Sequence, residues 1–180
     1  MIKNASNVIS GFKSALAQAD LGQLRSTIEH EAQPVPHRPR FLPRGKCAVY
    51  VFSLSQTWGS GCPAGPDRVL KVGMAGPNSN ARFQSQHYNP KSAGSTVAGS
   101  LIRSRILLPF LGITTLCRKE VGEWIRQHVD RDNFYLDAAD KSLLRLFEIY
   151  LSGTLGSVLE GSESRNTSSS RGSDLNKEEA

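Results

Sequence analysis

The strongest constraint in this chain is a pair of short β-forming runs, residues 47–54 (Cys-Ala-Val-Tyr-Val-Phe-Ser-Leu) and 68–73 (Arg-Val-Leu-Lys-Val-Gly). Branched and aromatic side chains pack well on a pleated surface, so each run reads as a strand. Neighbouring strands this close in sequence are expected to pair antiparallel. The Gly-, Pro- and Ser-rich stretch between them, 55–67, is too long for a tight hairpin turn, which marks it as mobile or functional. At 180 residues, one domain built around this pair is the expectation.

Helical periodicity accounts for much of the remainder. Val8, Ile9, Phe12, Ala15, Leu16 and Ala19, then Leu24 and Ile28, predict an amphipathic helix over 6–31, or two shorter ones divided at Gly22. Pro34, Pro36, Pro39 and Pro43, with Arg38, Arg40, Arg44 and Lys46 among them, make 32–46 an extended connection. It serves either as a spacer or as a strap against phosphates. Asn78 or Ser79 can cap a short helix ending at His87, and Ser95 or Thr96 can open another that carries Val97, Leu101 and Leu108 and stops at Pro109. A third is expected from Thr115 to Val129, then a short strand at 133–136 and a helix from Asp137 to Ser152. From Gly161 onward the chain is Ser, Asn, Gly and charge, a composition that predicts disorder. The expected architecture is α/β: a small antiparallel β-sheet flanked by helices, with an N-terminal accessory helix and a disordered C-terminal tail. The corresponding division is a helical extension at 1–32, a linker at 33–46, a main domain at 47–161 and the tail at 162–180.

Charge is distributed unevenly. Twelve Lys or Arg lie between Arg38 and Lys119 against one acid, Asp67. A cationic stretch of this density suits a polyphosphate partner, because binding it releases condensed counterions. No run approaches the roughly 20 apolar residues of a membrane-spanning helix, so no membrane partner is expected. Cys47, Cys62 and Cys117 are odd in number and widely spaced, which argues against a disulfide framework and a cysteine zinc site. With no apolar signal region behind Lys3, a cytoplasmic location is expected.

Ala48-Val49-Tyr50 on the first strand, Lys71-Val72-Gly73 on the second, Arg82 on the following helix and Glu148 on a distant one form an ordered set. In this set the chain resembles the GIY-YIG nuclease family over roughly residues 47–161. The segments Lys71-Val-Gly-Met-Ala-Gly, Ala81-Arg-Phe-Gln-Ser-Gln-His-Tyr-Asn-Pro and Leu159-Glu-Gly are similar to a bacterial branch of it. The resemblance implies a GIY-YIG-like fold and Mg²⁺- (or Mn²⁺-) dependent hydrolysis of phosphodiester bonds, with double-stranded DNA as the favoured partner. It aligns Tyr50 with the first-motif tyrosine, Arg82 with the helix arginine and Glu148 with the metal-binding glutamate. Two positions depart from the pattern: Lys71 replaces the usual second tyrosine, as in some restriction endonucleases of the family, and Glu160 stands where asparagine is often found.

The same residues make chemical sense on their own. Phosphodiester hydrolysis needs a positioned water, a base for its proton and cations near the phosphoryl oxygens. Glu148 lies four residues after Leu144 and three before Leu151, which turns a carboxylate toward the packed side of its helix. A cation must meet it there: Mg²⁺, which takes hard oxygen ligands, or an ion pair with Arg82 or Arg145. Arg82 has the fork that grips two phosphate oxygens. Tyr50 is either a core tyrosine or a general base, and the latter demands a lowered phenol pKa, which Lys71 on the adjacent strand would promote. His87 follows Arg82 by five residues, about 140° around an ideal helix, so the two should diverge. Only at a fraying helix end could His87, or Tyr88 in its place, protonate the leaving oxygen. His128 reads as structural, and His30 and His37 as incidental.

The competing expectation is a non-catalytic nucleic-acid-binding or protein-interaction module on the same fold. An RNA-associated basic protein is disfavoured, since no exposed aromatic platform interleaved with Lys or Arg is evident. A cutter of palindromic sites would be a homodimer, with the 6–31 helix as its expected interface.

Overall fold

The computed structural model describes residues 1–24, 26–59, 61–62, 68–92, 94–104, 107–137 and 141–159. The elements run α1 (Ala5–Gln18), β1 (Glu29–Gln33), β2 (Lys46–Leu54), α2 (Gln56–Gly59), β3 (Val69–Ala75), α3 (Asn80–Gln84), a 3₁₀ turn (Gln86–Tyr88), α4 (Val97–Arg103), α5 (Leu107–Phe110), α6 (Val121–His128), β4 (Val129–Asp137) and α7 (Lys141–Leu155). The strands form one antiparallel sheet in the order β1-β4-β2-β3. The expected α/β class, antiparallel pairing of the two apolar runs and flanking helices are all present.

Alternation along β2 divides the core. Ala48, Tyr50, Phe52 and Leu54 point to one face, packed with Phe83 of α3, Tyr88, Leu101 of α4 and Ile125 of α6. Cys47, Val49 and Val51 point to the other, packed with Phe12 and Leu16 of α1 and Leu144, Phe147 and Leu151 of α7. Helices therefore cover both sides of the sheet. Beyond α7 the chain returns along the outer edge of β3, where the Val158 and Leu159 amides donate to the Val69 and Leu70 carbonyls. That pairing covers a sheet edge that would otherwise be open.

Several sequence expectations are corrected. The N-terminal helix stops at Gln18, with Asp20 in the left-handed region at φ 58° and the Leu21 amide donating back to the Leu16 carbonyl. Residues 29–33 are not helical; they are the edge strand β1, paired with β4. The sheet thus begins upstream of the linker. The apolar face of α1 packs within the chain, with the Phe12 and Phe147 ring centroids 4.7 Å apart. Thr96 caps α4 by accepting from the Gly99 amide, but α4 ends at Arg103, and Pro109 lies inside the separate turn α5. The third helix starts at Val121 instead of 115. The 133–136 strand is the second half of the nine-residue β4, whose first half is highly charged. The 161–180 tail and Glu160 lie outside the described residues. Among the described residues no helix is long and apolar enough to cross a membrane, and Cys47, Cys62 and Cys117 form no disulfide.

Candidate active site

Strand register assembles the centre of the site. Tyr50 on β2 sits opposite Gly73 on β3 and Asn133 on β4, while Phe52 sits opposite Lys71 and Arg131. All of these side chains share the face covered by α3, the 3₁₀ turn and α4. The glycine that ends the Lys-Val-Gly run is required by close approach. A Cβ at Gly73 would lie 2.7 Å from Tyr50 Oη and 2.8 Å from its ring, so the phenol rests directly on the β3 backbone.

Two donors converge on Tyr50 Oη. Arg82 Nε donates at 3.2 Å, and His87 Nε2 lies at 2.6 Å. The Val97 amide donates to His87 Nδ1 at 3.4 Å, so Nδ1 is the acceptor nitrogen and the ring proton is on Nε2, directed at Tyr50. Tyr50 accepts both bonds, and its own proton takes part in neither. Arg82 and His87 meet on one oxygen, against the expected divergence, because the helix breaks between them. Ser85, at φ −127°, separates α3 from the 3₁₀ turn and redirects the backbone there. Gly122 on α6 clamps that turn: a Cβ there would stand 2.5 Å from the Tyr88 carbonyl oxygen.

Burial dominates the titration of this cluster. Tyr50 is fully buried, and that pushes its phenol pKa up, with the Arg82 and Arg131 charges pulling it down. A phenol lowered below its ordinary value, as a resting general base requires, is not what this environment produces. The cations that oppose burial are Arg82 and Arg131 instead of Lys71. Lys71 is 1% exposed, and its ammonium donates to Ser95 Oγ at 2.8 Å. Its charge acts on His87, whose pKa is driven well below the ordinary value by burial, then by Arg131, Arg82 and Lys71. His87 is therefore neutral near pH 7.

Glu148 reaches the cluster from the far side of β3, on α7. Its charge is the last of the influences on the cluster: it adds to the rise of the Tyr50 phenol after burial, and to that of Arg82 after Tyr50 itself. It is 13% exposed and paired through Oε2 with Arg145, so the ion pair considered for it forms with Arg145 and not with Arg82. Among the described residues no three His, Cys, Asp or Glu gather as a metal-ligand group. Mg²⁺ does not need one, since it commonly keeps several waters and takes one or two carboxylates plus substrate oxygens. Oε1 of Glu148, which accepts no bond among the described residues, fits that requirement.

Arg131, unremarked in the sequence, is the largest fully buried side chain among the described residues. Its guanidinium stacks 4.2 Å from the Phe83 ring centroid, donates from Nε to Asn133 Oδ1 and from Nη1 to Tyr88 Oη, and leaves Nη2 without a partner. Among the described residues no carboxylate lies within ion-pair distance of it. His37, read as incidental, is buried with Nε2 2.8 Å from the same Tyr88 hydroxyl. The only signal available was that Asp130-Arg131-Asp132-Asn133 runs without a turn residue into the strand-forming Phe134-Tyr135-Leu136. Four polar residues in a row hide it. His128 packs beside Trp58 and Trp124, consistent with a structural role, and His30 pairs with buried Asp132.

No family model, curated protein or solved structure matches the chain.

Proposed function

We propose that the protein is a Mg²⁺-dependent endonuclease that hydrolyses phosphodiester bonds of double-stranded DNA, in line with its resemblance to the GIY-YIG nucleases. The observation that carries this reading is the state of Arg82. It is half-buried and anchored through Nε to Tyr50, and it makes no other hydrogen bond among the described residues. Both terminal amino groups are thus left to receive two oxygens of one phosphate. A phosphate held there lies beside the Tyr50 hydroxyl and within the field of Glu148. Once its own phenol proton has passed to bulk solvent, Tyr50 takes the proton of the attacking water. The donors from His87 and Arg82 stabilise the phenolate that must form first, against the cost of burial. Glu148 would hold Mg²⁺ or Mn²⁺, which supplies positive charge for the phosphoryl oxygens. Lys71 and Arg131 keep the surroundings cationic and His87 neutral.

The decisive experiment incubates the purified chain with supercoiled plasmid, with and without Mg²⁺, beside Glu148→Ala. Nicking that needs both the metal and Glu148 is expected. A second reading, a binding module without chemistry, is favoured by the complete burial of Tyr50 and by the Arg145 partner already on Glu148. It predicts salt-sensitive duplex binding and no nicks under any divalent ion.

A further inference from the structure

The Pro- and Arg-rich segment 34–46 is pinned at two points and presents the residues between them. His37 is buried to 4% exposure against Tyr88, and its amide donates to the Arg126 carbonyl. Leu42 is buried in the core beside the sheet, and its amide donates to Asn80 Oδ1 at 2.8 Å. Asn80 is the first residue of α3, two before Arg82, so the segment is tied to the helix that carries the phosphate-gripping side chain. Between and beside the anchors stand Arg38, Arg40, Phe41 and Arg44, all exposed. Phe41 is 68% exposed, the most of any large apolar side chain among the described residues. A lone exposed phenylalanine on a mobile tip is unremarkable. Here Pro39 and Pro43 stiffen the flanks, and burial of the very next residue, Leu42, keeps the ring from folding inward. Arg40 makes a surface pair with Glu31 at 2.8 Å, the weak kind that a phosphate can displace. An aromatic ring fixed outward among arginines is the platform that the sequence alone did not reveal.

We propose that Phe41 is a wedge that inserts into a base step of duplex DNA, with Arg38, Arg40 and Arg44 on the flanking phosphates, and so sets the strand against Arg82. The wedge rests on the nuclease reading for its partner, but it concerns binding alone. Its chemistry is general: apolar side chains unstack a step and open the duplex toward the protein, while arginines neutralise the backbone.

The test compares full-length Glu148→Gln with Glu148→Gln/Phe41→Ala and Glu148→Gln/Phe41→Trp, in Mg²⁺-free buffer, on duplexes carrying 2-aminopurine. Phe41→Ala should weaken binding by about 5- to 150-fold, the span of base–aromatic stacking, and abolish the 2-aminopurine fluorescence rise. Its slope of log affinity against log salt should stay unchanged, and Phe41→Trp should retain both affinity and signal. Arg44→Ala should instead lower that slope by about 1. A Phe41→Ala protein that binds with parent affinity and parent fluorescence overturns the wedge, and it leaves the nuclease reading intact if the Glu148 chain nicks plasmid. Phe41-dependent binding by a chain that never nicks supports the wedge and removes the nuclease. Absence of any duplex binding overturns the wedge, and plasmid nicking by the unsubstituted chain decides the nuclease reading separately.

Discussion

Tyr50 Oη and His87 Nε2 lie 2.6 Å apart across 37 residues of sequence, both buried, with the histidine as donor. A neutral imidazole that donates to a phenol cannot also take its proton at that nitrogen. The bond therefore steers Tyr50's proton away from His87 and stabilises the oxygen once that proton has left. The Nε2 proton of His87 is directed at Tyr50, where the sequence expectation for it was a donor to the leaving oxygen.

Protonation of His87 at Nδ1 would keep the bond from Nε2 to Tyr50 but forfeit the one from the Val97 amide, and the pH at which it occurs can be altered through the cations around it. Arg131, Arg82 and Lys71 all lower the histidine pKa, after burial itself. Arg131→Met removes one of them, so His87 should protonate at a higher pH. Imidazole NMR titration of the variant checks the shift. The substitution also leaves Asn133 Oδ1 and Tyr88 Oη short of a donor, so some stability, on the order of 1–3 kcal/mol, should be lost with it.

Arg82→Lys keeps the charge but removes the planar fork. Nicking should fall by about 100-fold or more, on the scale of losing one donor to transition-state charge. Duplex affinity should change little, since the cation persists. Rates on supercoiled plasmid and binding titrations, taken together, separate the two effects. Equal loss of both would mean that Arg82 only binds.

Gly73→Ala should displace Tyr50, because the added carbon would stand 2.7–2.9 Å from three of its atoms. Overpacking of this kind typically costs about 1–3 kcal/mol. A lower urea midpoint is expected, with cleavage reduced even where the protein remains folded. A variant with wild-type midpoint and activity would show that the ring does not rest on the β3 backbone.

Acid should destabilise the fold through His37. Burial first, then Arg131, lowers its pKa from 6.5 to about 4. Between those values the unfolded chain binds a proton that the folded chain does not, so stability falls as pH drops from 6.5 toward 4. The loss amounts to about 3 kcal/mol at the lower end. Urea midpoints measured across this window should fall, and His37→Gln should flatten the decline. That variant should also be weaker near pH 7, having altered the contact with Tyr88.

The parts of the fold legible in sequence are those whose partners are close by or whose chemistry is unambiguous. The apolar runs behind β2 and β3 could only be buried strands, and α1, α4 and α7 show apolar stripes at helical spacing. Tyr50, Lys71, Arg82 and Glu148 could be singled out because a phenol, an ammonium or a carboxylate at a packed position needs a reason.

What local pattern could not supply was the rescue of charge by distant groups. Residues 130–132 fall in no expected element, yet with Asn133 they form a buried stretch of β4. The Val35 amide reaches Asp130, the Ile2 amide and His30 reach Asp132, and rings from β2 and α3 surround Arg131. Residues 29–33 likewise became a strand only because β4 offered an edge to pair with. Sequence by itself determined which segments had to be buried and which side chains would then need a partner. Only the tertiary structure decided who the partners are, because a buried polar group is stable only beside a complementary one, and those complements come from parts of the chain as far as 130 residues away.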